Sequence, residues 1–439
     1  MSMHCYQCEM SAPGACGAKG QTVGTCGKDE TLARLQDIMI FGLKGLSAYR
    51  EHARELGADT TEVDDVIAET LYFTLTNVNF NFDEHIAQLM KVGQAGVEVM
   101  SLLSEAHTKT FGIPTPVTVT ENKAEGKAIL VSGHNLLMLK KLLEATEGKG
   151  INIYTHSEML PAHGYPELRK FPHLKGNIGK AWYDQRKLFE EWPGAIIVNT
   201  NCIVPPTKDC GYLDRLFTYK IVGVEGATKI ENDDFGPVIE KALSLPDVTN
   251  FNSDETVTTG HHYKTILGMA SEIVEAVQSG KLRWFFVVAG CDAPGKPGEY
   301  YRELVQKLPK DAVIVTSSCG KFRFNDLDFG TIEGTNIPRY LDLGQCNDSN
   351  GAVEIALALS KALNVPVNEL PVRIVLSWME QKAIIILLAL FSLGIKGIKL
   401  GPKPPQFVNE AITNFLVQQF DLSFTSTVDE DLKQLLATN

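Results

Sequence analysis

One stretch of this 439-residue chain fixes the direction in which its strands pair. KAILVSGH, which begins at Lys127, is a short apolar strand, and NLLMLKKLLEATEGKG after it is a helical segment stopped by glycines. INIYTH, which ends at His156, is a second strand. Strands joined through a helix pair in parallel, because a parallel connection needs a long crossover. The stretch therefore predicts a βαβ unit of a parallel sheet.

The same alternation continues along the chain and predicts two α/β domains with parallel sheets. GAIIVNTNC and KIVGVEG extend the first sheet. A second α/β stretch begins near Gly260 and contains RWFFVVAGC, AVIVTSSC, RYLDLGQC, VRIVLSWME and GIKGIKLGP, with helical segments between most of them.

Helical periodicity dominates the residues before these domains. Apolar residues recur at near-helical spacing in ETLARLQDIMIFGLKGLSAYREHAREL, in TTEVDDVIAETLYFTLTNV, which a Thr cap opens, and in DEHIAQLMKVGQAGVEVMSLLSEA. They predict a three-helix bundle, with its boundary in the proline-containing FGIPTPVTV. The predicted domains are a cysteine-rich loop (1–28), the bundle (29–116) and two α/β domains (117–259 and 260–439).

Composition limits the classes of partner and location. Lys and Arg total 41 against 53 Asp and Glu, a net charge of −12, and an acidic chain suits neither nucleic acid nor an anionic membrane surface. The N-terminus has no apolar signal-peptide region, and the longest apolar run, AIIILLALF, is far shorter than the ~20 residues that span a bilayer. We therefore expect a cytoplasmic protein with reduced thiols.

Four cysteines crowd the N-terminus in the spacing C-x2-C-x7-C-x9-C: Cys5, Cys8, Cys16 and Cys26. Structural zinc sites usually have two close pairs, whereas one close pair with two spread cysteines is compatible with an iron–sulfur cluster. The glycines between them would let the loop wrap around such a cluster. The pattern favours an iron–sulfur cluster and leaves zinc, or no metal, open.

A second set of metal-ligating side chains follows the strands of the α/β domains. These strand-end residues are His134, Glu158, Cys202, Cys291, Cys319, Cys346 and Glu380. Parallel strands present their carboxyl ends at one edge of a sheet, so residues distant in sequence converge there. A single cysteine after a strand is most often a small buried residue, but the repetition favours one shared site. Cys210 does not follow the rule and is interpreted as structural.

The donor types predict what such a site binds. Seven residues are too many for one tetrahedral zinc ion. Thiolates combined with carboxylates and a histidine suit a multinuclear iron cluster with bridging sulfide and oxygen. Adjacent histidines in a strand point to opposite faces, so His261 and His262 are not expected to share a metal ion. They and His163 are expected either to be structural or to support the residues that bind the metal.

These motifs resemble those of the hybrid cluster proteins, also called prismane proteins or hydroxylamine reductases. VSGHNL, YTHSEMLPAHGYPELRKFPH, TNCIVPP, AGCD, CGKFRFN, GQCND and SWMEQKA occur in the family's order, and LQDIMIFGLKGLSAY and TLTNVNF match its first bundle. The chain resembles the short form, because it passes from one bundle straight to FGIPTP where longer members have a second bundle. The gap between Cys16 and Cys26 is wider than is usual in the family.

The resemblance implies two cofactors. A hybrid iron–sulfur–oxygen cluster of the [4Fe-2O-2S] type would lie between two Rossmann-like domains, held by the seven strand-end residues, with Cys291 carrying a persulfide. A [4Fe-4S] cluster on the four N-terminal cysteines, with [2Fe-2S] as the alternative, would relay electrons from an external electron-donor protein. Neither domain carries the G-x-G-x-x-G fingerprint, so no dinucleotide is expected.

The resemblance also implies a reductase that converts the small molecule hydroxylamine to ammonia and water, with nitric oxide as a further substrate. Glu158 and Glu380 are oxygen ligands whose displacement would open an iron site, and Lys382 and His156 are candidates for proton delivery. Two alternatives stay open: a nickel-dependent carbon monoxide dehydrogenase, and a nitric oxide sensor or S-nitrosylation factor that uses Cys291. The sequence does not predict the oligomeric state.

Overall fold

The computed structural model describes residues 5–10, 16, 22–377, 380–401 and 408–437. It divides into two compact units. The first comprises residues 1–106, 367–369 and 373–439, and the second comprises residues 107–366 and 370–372. The four domain boundaries predicted from the sequence stay predictions.

The chain alternates helices and strands after three initial helices. The helices are α1 (Glu30–Glu55), α2 (Thr61–Phe73), α3 (Phe82–Phe111), α4 (Leu136–Thr146), α5 (Pro166–Arg169), α6 (Gln185–Glu191), α7 (Gly236–Ser244), α8 (Tyr263–Leu267), α9 (Ala270–Gln278), α10 (Glu299–Gln306), α11 (Asn350–Leu363), α12 (Gln381–Ser392), α13 (Glu410–Phe420) and α14 (Val428–Leu435). The strands are β1 (Val117–Thr120), β2 (Lys127–Ser132), β3 (Ile151–His156), β4 (Leu174–Asn177), β5 (Ala195–Val198), β6 (Leu216–Tyr219), β7 (Thr228–Ile230), β8 (Thr256–Thr259), β9 (Trp284–Ala289), β10 (Ala312–Thr316), β11 (Tyr340–Asp342), β12 (Val372–Leu376), β13 (Ile398–Leu400) and β14 (Ser423–Phe424).

The first unit contains the predicted N-terminal helical bundle, which is confirmed. Asp29 caps α1 by accepting a hydrogen bond from Leu32 N at 2.8 Å, and Gly57, at φ 86°, follows the end of that helix. No helix among the described residues is long and apolar enough to cross a membrane.

Helix α2 departs from its prediction at both ends. Thr60 occupies the N-cap position, but its side chain does not cap the helix, and the carboxylate of Asp59 accepts from Thr61 N at 3.1 Å instead. The helix ends at Phe73, short of the predicted TLTNV extension. Asn77 in that extension takes φ 66°, a left-handed conformation that an α-helix does not continue through.

The apolar run AIIILLALF forms the buried helix α12, as predicted. Two glycines of the bundle allow α12 to pack closely against it. A Cβ on Gly45 of α1 would overlap the carbonyl of Gln381, and one on Gly93 of α3 would overlap the carbonyl of Leu388. This close approach of three backbones fixes the N-terminus of α12, where the candidate ligand Glu380 lies.

The second unit contains a six-stranded parallel sheet in the order β4-β3-β2-β5-β6-β7. The predicted βαβ unit is confirmed as β2, α4 and β3, with Lys127 paired to Ile151 and Ser132 to His156. Asn135 caps α4 by accepting from Met138 N at 2.9 Å.

The predicted strand KIVGVEG is wrong. The strands lie on either side of it, as β6 and β7. Lys220 and Gly226 take φ values of 49° and 82°, and the Ile221 side chain is 94% exposed, so the segment turns between the strands despite its apolar residues.

Parallel pairing also holds in the second α/β region. In the second unit β10 pairs with β9 and β11, and in the first unit β13 pairs with β12 and β14. An antiparallel pair that the sequence did not predict, β1 with β8, also belongs to the second unit. The mixed α and parallel α/β fold class is therefore confirmed.

Candidate metal centre

Three of the strand-end residues meet in the second unit. His134 follows β2, Glu158 follows β3 and Cys346 follows β11. Their ligand atoms all lie within 4.8 Å of one another, and all three residues are buried. A nitrogen, an oxygen and a sulfur donor from three separate strands thus surround one small volume.

Hydrogen bonds hold each member of this triad. Nδ1 of His134 lies 2.8 Å from Thr200 Oγ1, the kind of contact that orients a histidine which binds metal through its other ring nitrogen. Glu158 Oε2 accepts from Cys346 N at 2.8 Å. The side-chain amide of Gln345 donates to the carbonyls of His134 at 3.0 Å and of Glu158 at 2.7 Å. The three donors are therefore oriented before any metal binds.

Cys319 adds a buried sulfur to the same electrostatic environment. Burial raises the pKa of its thiol well above the ordinary value, and the charges of Glu158, Cys291 and Cys346 raise it further. Ser157 Oγ lies 3.5 Å from the Cys319 sulfur. Several anionic ligands so close together in a buried site need a cation between them, which iron or another metal provides.

Cys202 reaches the same edge of the first sheet as His134. It follows β5, which pairs in parallel with β2, so both residues leave the sheet at strand carboxyl ends. The amide of Asn201 lies 3.2 Å from the Cys202 sulfur, and Gln185 donates to the Cys202 carbonyl at 2.7 Å.

Four non-glycine residues in the segments that follow these strands have a left-handed backbone conformation. The non-glycine residues concerned are Ser157 at φ 55°, Cys202 at 67°, Asp292 at 61° and Ser318 at 64°. Each is a predicted ligand or the immediate neighbour of one. Such conformations disfavour residues with a Cβ and gather at functional sites, where the surrounding structure holds them. Here they turn the chain abruptly at the strand ends.

Two ion pairs adjoin the ligands, one fully buried and one partly buried. Lys321 Nζ lies 2.9 Å from Asp342 Oδ1 with both side chains fully buried, and Arg323 Nε lies 2.7 Å from Asp292 Oδ1. Burial opposes the charge of Lys321, but Asp342 and Glu158 outweigh it and its pKa is raised. These cations compensate part of the negative charge of the ligand set.

The N-terminal cysteines approach one another in the first unit. Cys5 and Cys16 are buried, and Cys16 N donates to the Cys5 carbonyl at 3.2 Å. A Cβ on Gly24 would lie 3.3 Å from the Cys16 sulfur and 3.5 Å from the Cys26 sulfur, so only glycine leaves the space between them open. Cys8 is exposed.

Sequence comparison identifies the family. A model of the Prismane/CO dehydrogenase family matches residues 3–89 and 61–433. The chain is 51% identical over 99% of its length to the hydroxylamine reductase of Moorella thermoacetica, all of which is covered, and 48% identical to that of Methanothermobacter thermautotrophicus. The chain belongs to the Prismane/CO dehydrogenase family.

As a member of this family the protein is an oxidoreductase, and the family implies iron–sulfur clusters. The hydroxylamine reductase of Solidesulfovibrio magneticus is 47% identical, but the match covers 75% of that longer protein. The carbon monoxide dehydrogenase of Thermococcus sp. AM4 shares the fold, with a TM-score of 0.78 over 99% of this chain and 90% of that one, at 18% identity.

Both groups of residues fit the iron–sulfur clusters of the family. The strand-edge site combines buried nitrogen, oxygen and sulfur donors with thiols whose neighbours are anionic. At the N-terminus the glycine at position 24 leaves room between two sulfurs. The assignment of each predicted ligand stays a prediction.

Glu380 is the predicted ligand that lies in the other unit. It occupies the N-cap position of α12 and is half-buried. That Glu380 binds the same metal centre as the strand-end residues stays a prediction.

The two candidates for proton delivery occupy different environments. His156 is completely buried, its Nδ1 lies 2.8 Å from Ser132 Oγ, and burial lowers its pKa to about 3. A ring kept neutral in this way stores no additional proton at neutral pH. Lys382 is buried in the first turn of α12, with Nζ 5.3 Å from the centre of the Tyr49 ring. Both roles stay predictions.

The histidines expected to be structural are all buried, but one premise was wrong. His261 and His262 follow β8 rather than lying in a strand. His262 caps α8, with Nδ1 3.3 Å from Lys264 N, and His163 Nε2 lies 3.0 Å from Thr155 Oγ1.

Sequence reasoning missed the residues that orient and neutralise the ligands. These are Thr200, Gln345, Lys321, Asp342, Arg323 and Asp292. Each lies within four residues of a strand end or predicted ligand, in the segments TNC, LDLGQC, GCD and CGKFR. Polar residues flanking a run of candidate ligands are therefore the signal that could have found them.

Replacing Thr200 by valine should weaken the iron site. Valine keeps the shape of the side chain but removes the oxygen 2.8 Å from His134 Nδ1. Loss of such an orienting partner typically lowers metal affinity or activity by about 10-fold to 100-fold, and we expect a tenfold effect. Iron content and turnover check this, with Thr200→Ser as the variant that should retain both. Equal loss in the serine variant would contradict the hydrogen-bonding role.

Proposed function

We propose that this protein reduces hydroxylamine to ammonia and water at a hybrid iron–sulfur–oxygen cluster. The reaction is NH2OH plus two electrons and two protons giving NH3 and H2O, so the N–O bond breaks while one N–H and one O–H bond form. The names of relatives that are 48–51% identical over almost the whole chain support this substrate. The chemistry of the site supports the cluster.

The observation that carries the proposal is the buried triad of His134, Glu158 and Cys346, with ligand atoms within 4.8 Å. A nickel–iron site of the carbon monoxide dehydrogenase type is held mainly by cysteine and histidine. A buried carboxylate beside a thiol instead suits iron that also bears oxygen. We assign the same cluster Cys202, Cys291, Cys319 and Glu380 as further ligands, with a persulfide on Cys291.

When bound, the cluster supplies Lewis-acidic iron and electrons to the N–O group. The protein supplies a buried site from which water is largely excluded, since His134, Glu158, Cys319 and Cys346 are all buried. Glu158 is held by Cys346 N–H through one oxygen. It directly follows Ser157, whose φ of 55° turns the chain after β3.

Protons for the reaction are assigned to Lys382. Its ammonium is buried beside the Tyr49 ring, two residues after the proposed ligand Glu380. A cation above an aromatic face is attracted by the negative face of the ring, which holds the Lys382 side chain in this position. His156 is the second candidate and would act through its hydrogen bond with Ser132.

Electrons are proposed to enter through a second cluster, of the [4Fe-4S] type, on Cys5, Cys8, Cys16 and Cys26. The exposed position of Cys8 supports an entry point for an external electron-donor protein. The prediction of a cytoplasmic location rests on the reducing conditions that such cysteine chemistry needs.

Replacing Lys382 by methionine should lower turnover and leave iron content unchanged. Methionine has a similar length and keeps the packing on Tyr49, but it carries no proton. Positioned general acids contribute about 10²-fold or more, and we expect a loss of about 100-fold. The matched control is Lys396→Met, at an exposed lysine in the same unit. Unchanged turnover would remove Lys382 from the mechanism.

The proposed function is tested by anaerobic turnover with a reduced dye as electron donor, with ammonia measured against hydroxylamine consumed. Equal amounts of the two, produced over many turnovers, support the reductase. Modification of the protein by nitric oxide without turnover would instead favour the sensor. Oxidation of carbon monoxide together with stoichiometric nickel would favour the dehydrogenase.

A further inference from the structure

Lys28 is a buried charge whose partners are neutral. It is 1% exposed, and its Nζ lies 2.6 Å from Gln7 Oε1 and 2.7 Å from Gln36 Oε1. Among the residues that the structure describes, no carboxylate lies within ion-pair distance of it. Lysine is almost never fully buried unless it is paired, because burial of an unpaired charge is strongly unfavourable.

Two other buried lysines, Lys321 and Lys399, each have a carboxylate partner. Lys321 has Asp342 at 2.9 Å, and Lys399 has Asp431 at 3.0 Å. By comparison, Lys28 lacks the anion that its burial demands. Two neutral amide oxygens orient an ammonium group but leave its charge in place.

The position of Lys28 points to the missing anion. It follows Cys26 by two residues, and its carbonyl accepts from Gly24 N at 2.8 Å, the glycine that separates the sulfurs of Cys16 and Cys26. Gln7, whose side-chain oxygen accepts from Lys28 Nζ at 2.6 Å, lies between Cys5 and Cys8 in the chain.

Nearby acidic groups do not neutralise Lys28. Asp37 accepts from Gln7 Nε2 at 2.9 Å, so it is separated from the ammonium by the whole Gln7 amide. Asp29 is exposed and caps α1. The N-terminal sulfur ligands are the source of negative charge that we assign to Lys28.

We propose that Lys28 is the counter-charge of an anionic iron–sulfur cluster held by the N-terminal cysteines, and that it raises the reduction potential of that cluster. Four thiolates make such a cluster negative, and reduction adds one more electron. A fixed positive charge in a buried site therefore stabilises the reduced form more than the oxidised form. Lys28 is a positioning residue, and the inference rests on the proposed N-terminal cluster but not on the substrate.

The test is a redox titration of the iron-loaded enzyme, followed by electron paramagnetic resonance. In Lys28→Met the ratio of reduced to oxidised N-terminal cluster at a fixed potential should fall by about tenfold, which for one electron is a decrease of about 59 mV. Iron content per chain is measured in parallel. The matched control is Lys91→Met, at an exposed lysine of the same unit that pairs with Glu69, and its potential should not change.

A second variant compensates the charge of Lys28 with a new carboxylate instead of removing the ammonium group. Gln36→Glu keeps the shape of a side chain already 2.7 Å from Lys28 Nζ and places a carboxylate there, so the potential should again fall. His85 Nε2 lies 3.1 Å from Gln36 Nε2, so a protonated His85 would offset the charge of the new carboxylate. Burial lowers the pKa of His85, and the titration is run at mildly alkaline pH so that its ring is neutral. This variant decides the result if Lys28→Met binds too little iron for titration.

The outcomes separate this inference from the proposed function. A lower potential in either variant, with the control unchanged, supports the counter-charge. Potentials equal to that of the unmodified enzyme in the loaded variants would overturn it while leaving the reductase proposal intact. Zinc instead of iron at the N-terminal cysteines of the unmodified protein would overturn both the relay cluster and the role of Lys28.

Discussion

Replacing Glu158 by glutamine is expected to lower hydroxylamine turnover by about 1000-fold, more than the 10-fold to 100-fold that follows loss of a residue that only orients a ligand. Glutamine retains an oxygen to accept the hydrogen bond from Cys346 N, now 2.8 Å long, so local folding should persist. It removes the one carboxylate of the buried triad. A neutral amide is a weak ligand for iron, and the iron that it faces would lose its anionic oxygen donor.

The matched control is Glu167→Gln, at a surface carboxylate that pairs with Lys170 in the same unit. The control should keep full turnover, and both variants should retain the spectrum of the N-terminal cluster. Full activity of Glu158→Gln with normal iron content would mean that Glu158 is not a ligand, and the oxygen-containing cluster would lose its main support.

The second large effect is on stability. Lys321→Met leaves Asp342 buried without its ammonium partner, which normally lies 2.9 Å away in a fully buried pair. Breaking such a pair by removing one partner typically destabilises a protein by about 3–5 kcal/mol, because an uncompensated charge stays buried. We expect a change of that size in the free energy of unfolding, measured by urea denaturation of the unmodified and variant proteins.

A double replacement separates charge from packing. Adding Asp342→Asn to Lys321→Met removes the uncompensated charge and should recover most of the stability, since Thr259 Oγ1, 2.7 Å from the Asp342 side chain, still has a partner. The exposed pair of Lys170 and Glu167 provides the control, where Lys170→Met should have little effect on the free energy of unfolding. A similar small effect at Lys321 would contradict its role as compensating charge.

The sequence predicts the strand-edge site because two simple regularities coincide. Each apolar strand is followed closely by a residue able to bind metal, and parallel strands bring their carboxyl ends together. That reasoning needs no distances, and His134, Glu158 and Cys346 meet as it requires. The βαβ unit is also predictable from the sequence. The spacing of its apolar residues and the glycines that end its helix can both be seen within a short segment of the chain.

What the sequence does not predict depends on contacts between distant segments. KIVGVEG has the composition of a strand, but the left-handed backbone at Lys220 turns it away from the sheet. The pairing of β1 with β8 joins segments far apart in the chain. Thr200 and Gln345 flank candidate ligands in the sequence, but which groups they bind is visible only once His134 and Glu158 are in place.

The measurement that tests the central claim most directly is the metal and sulfide content of protein purified without oxygen, together with its electron paramagnetic resonance spectrum. Two clusters, one of them containing oxygen, predict about eight irons per chain, labile sulfide below iron and little nickel. One zinc and no iron would contradict the account. The N-terminal cysteines would then hold a structural ion, and the buried triad of His134, Glu158 and Cys346 would have no role in catalysis.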